Sequence, residues 1–282
     1  MTFRISLGLL AAVLSLMAAG EYQRALELYQ QTDYRNALKA LEGVPKDPSV
    51  WALTGRIHFM LSDFKRSRDA FEKAVSGAPK SSEYYLWLGR ALGRQAETSS
   101  FLSAPGLATK ARDAFEKAVQ LDPNNKEALS DLFDYYLQAP GFLGGGLDKA
   151  SVLASRIAQL DTAEGYYARA QLAQARKEYD SAEASLRRAV ELAPRQVGRV
   201  LDLAKYLAKR GRTAESDRVF EQAAKMAPDQ PKVLFEWASV LVREKRNLTQ
   251  AKALLTKYAA APLTPDDPPR EEALKLLRQL GS

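Results

Sequence analysis

The chain has 282 residues, 41 basic and 34 acidic side chains, a formal net charge of +7, no cysteine and one histidine, His58. The missing cysteines exclude thiol nucleophiles, thiolate metal sites and disulfides, and a Ser-His catalytic pair would have to use His58. Val and Ile are sparse beside Ala and Leu, which favours helices over strands, and the charges are interspersed as on a solvated helical surface with a mild preference for anionic partners.

At the start of the chain Arg4 supplies one positive charge, residues 5–19 carry none, and Ala18-Ala19-Gly20 sets small residues before Glu21. This three-part order is that of a secretory signal peptide over residues 1–20, cut near Ala19 or Gly20. The apolar run is short beside the roughly 20 residues of a full membrane span. The mature protein is therefore expected in the periplasm or secreted. The alternative is an uncleaved N-terminal anchor, the only membrane attachment expected.

From residue 21 onward the apolar pattern is helical and recurs. Tyr166, Val200 and Leu234 are 34 residues apart, and so are Ala170, Ala204 and Ala238. A fixed interval of this size signals an array of stacked helix pairs. The first helix of each pair carries apolar residues at i, i+3, i+4 and i+7: Tyr85, Leu88, Gly89 and Leu92, or Val200, Leu203, Ala204 and Leu207. Arg169 departs from this pattern, standing where other pairs have Leu88, Leu203 or Trp237; its stem can pack while its head reaches water. The second helix begins on a small residue (Ala37, Ser67, Ala111, Ala150, Ala182, Ser216, Ala251), followed four positions on by Leu41, Phe71, Phe115, Ala154, Leu186, Phe220 and Leu255. Antiparallel helices approach closely only where one contact carries almost no side chain. Prolines 79, 123, 194 and 228 then end the second helices.

These residues resemble the tetratricopeptide repeat, with Ser67-Arg68-Asp69-Ala70-Phe71-Glu72-Lys73-Ala74 and Leu121-Asp122-Pro123-Asn124-Asn125 near its consensus. The resemblance, of the bacterial secreted or periplasmic type, covers residues 21–262. It implies an all-α fold: a right-handed superhelical α-solenoid of about seven helix-turn-helix units, at about 21–47, 48–81, 82–125, 126–162, 163–196, 197–230 and 231–262. Residues 263–282 read as a Pro-rich turn and a capping helix in which Leu274, Leu277 and Leu280 would cover the open apolar end.

Two segments break the period, at residues 97–106 and 138–146. Each holds an Ala-Pro-Gly and a Phe-Leu pair, Phe101-Leu102 and Phe142-Leu143. These pairs either pack on nearby helices or form an apolar lip that contacts a partner. Gly144-Gly145-Gly146 lacks the lysine and the preceding strand of a phosphate loop.

No residues form a recognisable catalytic set, and His58 falls on the core face of its helix, so the chain is not expected to be an enzyme and no metal or cofactor is implied. In the resembled family the first helices line the concave face. Projected there are Arg56, Phe59, Arg90, Arg94, Asp134, Tyr167, Gln171, Lys205, Lys209, Phe235 and Arg243, cations interleaved with aromatics. The function expected is a protein–protein interaction scaffold, holding an acidic peptide or protein segment in this basic groove and at the loop tips. The alternative is a recognition subunit for an acidic polysaccharide or other anionic ligand. The basic residues are too diffuse for nucleic acid, and the sequence does not set an oligomeric state.

Overall fold

The computed structural model describes residues 3–281, with side-chain surroundings from Met17 onward. All regular structure among them is helical. In chain order the helices are α1 (Phe3–Gln30), α2 (Tyr34–Ala40), α3 (Pro48–Met60), α4 (Phe64–Gly77), α5 (Ser82–Glu97), α6 (Ala104–Leu121), α7 (Lys126–Gln138), α8 (Leu147–Leu160), α9 (Thr162–Ala175), α10 (Tyr179–Leu192), α11 (Val197–Lys209), α12 (Thr213–Met226), α13 (Pro231–Arg243), α14 (Leu248–Ala260) and α15 (Arg270–Gly281). They fall into two compact units, Met1–Leu132 and Phe133–Ser282. Within each unit consecutive helices pack as hairpins, and each hairpin packs on the next, as in α3–α4–α5 and α9–α10–α11–α12–α13. This is an α-solenoid construction.

The expected leader lies mostly outside the side-chain description, with Met1 and Thr2 outside the described residues. The backbone of α1 runs unbroken through position 20. No helix among the described residues is long and apolar enough to cross a membrane.

The hairpins close on small residues. Gly55 and Gly89 abut rings from the second helix of the same pair: an added Cβ would come within 2.6 Å of Phe71 and 2.5 Å of Phe115. Where the small residue of the second helix is serine, its hydroxyl is fully buried and donates to a backbone carbonyl of the first helix. Ser67 Oγ reaches the Gly55 carbonyl and Ser216 Oγ the Ala204 carbonyl, both at 2.8 Å. The hydroxyl thus finds a partner at a site that tolerates no larger side chain.

Five hairpins turn in the same way. Thr32, Ser62, Lys177, Gly211 and Lys245 have φ of 61°, 59°, 62°, 76° and 53°. The following N–H reaches back across the end of the first helix: Glu178 to Ala173 O at 2.8 Å, Arg212 to Leu207 O at 3.0 Å, Arg246 to Leu241 O at 3.1 Å. This left-handed helix stop suits glycine, yet only Gly211 of the five is one. Asp33, Asp47, Asp63 and Asp161 accept from backbone N–H groups in the first turns of their helices, filling donors that helix geometry leaves open. The second helices α4, α6, α10 and α12 each end two residues before Pro79, Pro123, Pro194 and Pro228.

The irregular segments are built differently from the loops expected. Residues 97–106 do not form one long loop. Instead α5 extends to Glu97 and α6 starts at Ala104 with Pro105 in its first turn, where a missing N–H costs nothing; only residues 98–103 remain as the joint. After α7, residues 141–143 form one 3-10 turn. The Tyr135 hydroxyl donates to Leu143 O at 2.9 Å and Lys149 Nζ to Gly144 O at 2.8 Å. Gly144 has φ 88°, and a Cβ on Gly145 would overlap the Ala139 carbonyl. The glycines therefore serve a tight backbone path.

At the C-terminus α15 packs on α13 and α14 through Ala273, Leu276, Leu277 and Leu280, against Phe235, Leu255 and Tyr258. The register differs from the one expected, because Ala273 and Leu276 take the inward stripe and Leu274 is not part of this cluster. The Tyr258 hydroxyl donates to Pro268 O and the Arg270 guanidinium to the Ala259 carbonyl, with Ala261 O at 3.0 Å.

Candidate functional site

In the first unit the projected first-helix residues gather around a tryptophan that the projection did not include. Trp87 of α5 lies between two guanidiniums, Arg56 at 5.1 Å and Arg90 at 4.9 Å from its ring centre. Phe59 meets it edge-on at 5.4 Å, and the buried Phe71 stacks on it at 5.9 Å with a 12° interplanar angle. Arg94 stands over Phe64 at 5.2 Å. The spacing from Trp87 to Arg90, one turn on the same helix face, could have revealed half of this arrangement; Arg56 comes from the preceding hairpin.

The cations here are not free. Arg56 pairs with Glu83 and Arg94 with Glu97. Arg90 donates from Nε to Asp131 at 2.5 Å and from Nη2 to Glu127 at 2.9 Å. Burial alone would lower the Arg90 pKa, but the carboxylates of Asp131 and Glu127 outweigh it and hold the group above its ordinary value. The surface is thus an aromatic centre framed by arginines whose geometry is fixed by acids from the following helices, not a uniformly basic strip. Those acids lie 27 to 41 residues beyond their partners, so projecting one helix at a time cannot show them.

In the second unit Tyr167 lies under the Arg199 guanidinium at 4.0 Å. Burial raises its phenol pKa, the Asp202 charge adds to the effect, and Arg199 opposes it. Arg199 forms ion pairs with Glu164 at 3.1 Å and Asp202 at 3.0 Å. Gln171 reaches Asp134 at 3.5 Å, and Lys205 sits between Asp202 at 3.4 Å and Glu236 at 3.5 Å. Lys209 and Arg243 are exposed. Phe235 corrects the projection: it is 9% exposed and packs on Tyr258 with ring centres 5.1 Å apart. Its repeat equivalents Leu86 and Leu201 are buried as well, and at Phe235 the cover comes from α14 and the capping helix.

The loop tips project. Phe101 is 89% exposed, Leu102 91% and Phe142 82%, while Leu143 is half-buried under the Tyr135 hydrogen bond. His58 is largely buried in α3, with Nδ1 4.0 Å from Asp63. Among the described residues no group of three or more His, Asp or Glu is placed to hold a metal ion.

A helical-repeat protein built of stacked hairpins is the class these features define. The tetratricopeptide repeat family profile matches residues 10–82, 55–126 and 201–268, and a second profile of the same description matches 163–196. The chain belongs to the tetratricopeptide repeat family, whose repeats mediate protein–protein interaction and whose members are typically non-enzymatic scaffolds. Residues 127–162 lie outside these matches. Among solved structures the chain is similar to a tetratricopeptide repeat protein from Parabacteroides merdae, with 15% identity and a TM-score of 0.58 over 95% of this chain and 100% of that one. It is also similar to a thermophilic TPR protein from Thermus thermophilus, with 21% identity and a TM-score of 0.55 over 67% and 98%. At these identities the likeness is one of fold. No curated protein shows significant sequence similarity to the chain.

Proposed function

We propose that the protein is an interaction scaffold of the extracytoplasmic space that holds a peptide or protein segment on its first-helix surfaces. The observation that carries this reading is the Trp87 centre: a half-buried indole between two arginines, each paired with acid from the first helix of the following hairpin. Such a surface is ordered before a partner arrives, so little side-chain freedom is lost on binding, and Trp and Arg are the residues on which binding energy concentrates. Because the arginines already have acidic neighbours, the partner contributes carboxylates by sharing the guanidinium forks and apolar groups by covering the indole. In the second unit, Lys209 and Arg243 offer exposed cations to an acidic segment. Secretion is supported by the uncharged run over residues 5–19 and the small residues that follow it.

The test is site-specific photo-cross-linking in the native host, with the reactive side chain placed at Arg94 on the first-helix surface or at Lys117 on a second helix. The expected result is one partner captured from position 94 and not from 117. Equal capture from both, or from 117 alone, overturns the assignment of the surface. N-terminal sequencing of the same material checks the compartment: a chain beginning near Gly20 or Glu21 is expected, and a cytoplasmic chain beginning at Met1 overturns it.

A further inference from the structure

Three departures from the repeat pattern meet in one place. The first is Arg169 of α9: the corresponding Leu88, Leu132, Leu203 and Trp237 are all buried, whereas Arg169 is exposed. The second is on α8. Three other second helices, α4, α6 and α10, carry an i,i+4 ion pair at two fixed positions, Arg68 with Glu72 at 3.6 Å, Arg112 with Glu116 at 3.6 Å and Arg187 with Glu183 at 2.8 Å. On α8 these positions hold Ser151 and Ser155. The third is Ser185 of α10, where α4 and α6 have Ala70 and Ala114.

Together they open a cleft of about 260 Å³ between α8, α9 and α10. Its floor is Ala154, Leu172 and Ala173, and its walls carry Ser151 and Ser155 on one side and Ser181 and Ser185 on the other. Arg169 of α9 and Arg176, the residue that caps the end of α9, supply two guanidiniums. Neither has a carboxylate within ion-pair distance among the described residues; the Arg169 guanidinium stands over the Tyr166 ring, 5.0 Å from its centre. Glu178 is the one acid in the lining, so the cleft keeps a net positive charge. This lies on a different side of α9 from Tyr167 and Gln171, since two residues advance about 200° around a helix.

We propose that this cleft is a binding site for an oxyanion group, the carboxylate of a uronic acid or a phosphate or sulfate ester, held by Arg169 and Arg176 and by the serine hydroxyls. Guanidinium forks match planar and tetrahedral oxyanions, serine hydroxyls donate to the remaining oxygens, that of Ser155 by turning away from the Ser151 carbonyl it bonds at 3.1 Å, and the volume suits one sugar ring or one phosphoryl group. The site does not depend on the peptide surface: it belongs to the second unit and uses none of the same side chains.

Titration of the full chain at constant ionic strength, followed by amide chemical shifts, tests it with inorganic phosphate, sulfate and glucuronate as probes and chloride as the control. At least one probe is expected to saturate in the millimolar range, with shifts confined to α8, α9 and α10; the probe that saturates lowest identifies the source of the anion. Arg169→Leu, which restores the residue type of Leu203, is expected to weaken that binding at least tenfold without lowering the melting temperature. Arg176→Gln is a second, independent loss, and Arg218→Gln, an exposed arginine of α12, a variant with unchanged binding. A response linear in concentration, one equal to that of chloride, or equal affinity in all three variants overturns the proposal. Cross-linking of the peptide surface is unaffected by either result.

Discussion

Arg90 in the first unit and Arg169 in the second both sit on first helices of the array, two positions apart in the repeat. Arg90 faces the next first helix and is closed off by Asp131 and Glu127; Arg169 faces the second helices and meets serines where neighbouring repeats offer an ion pair. One arginine has become part of the frame and the other has been left available. The difference teaches that in an array the role of a charge is set by the hairpin that follows it, so a basic residue cannot be counted as binding surface until its neighbour one repeat on is known.

The largest expected effect breaks this comparison directly. Arg90→Ala leaves the mostly buried Asp131 without its partner and should destabilise the first unit by about 2–3 kcal/mol, below the range for fully buried pairs because both groups keep some solvent. Arg169→Leu, measured by the same denaturant melt, should leave stability unchanged or slightly raised. Equal losses in the two variants would erase the distinction between them.

A smaller effect sharpens it at the end of α9. Lys177 holds a left-handed turn at φ 62° where Gly211 serves the next hairpin, and a side chain there costs roughly 1 kcal/mol. Lys177→Gly should therefore raise stability by about that amount while anion binding by the adjacent Arg176 is unchanged. A loss of stability would show that the lysine stem contributes packing that the turn geometry does not reveal.

The smallest concerns His58. Burial pushes its imidazole below the ordinary value of 6.5, with the Asp63 charge pulling the other way. Because the folded state resists the proton that the unfolded chain accepts, the stability contribution is whole above about pH 6.5 and declines as pH falls below it. His58→Gln should flatten this slope in melts between pH 7 and 5, and an unaltered slope would assign the acid sensitivity to other groups.

The helices were legible in the sequence because their cause is local: a small residue at a fixed position, in most hairpins a leucine or phenylalanine four residues on, and in four of them a proline two residues past the last turn. The candidate surface was only partly legible because its causes are not local. Phe235 shares its repeat position with Leu86 and Leu201, which are buried too, and it packs on Tyr258; reading it as surface overlooked that this position points into the array. The acids that hold Arg56 and Arg90 come from later helices. Trp87 escaped notice because it falls just beside the repeating apolar stripe. The surplus at residues 97–106 looked like a loop because Ala-Pro-Gly usually ends helices, but Pro105 sits in the first turn, where it starts one. Arg169 stood out as a departure from the sequence alone, while the serines that give it meaning became visible only when α8 and α10 were set on either side of it.

The closing helix has a consequence for the state of the molecule in solution. A stack of hairpins ends on a surface able to accept another hairpin, from the same chain or from a second copy. Here that last surface meets Ala273, Leu276, Leu277 and Leu280, and α15 turns Glu271, Glu272, Lys275 and Arg278 to the solvent. These side chains set charge where a bare hairpin would offer an apolar seat, and such a face favours solvent over a further apolar layer.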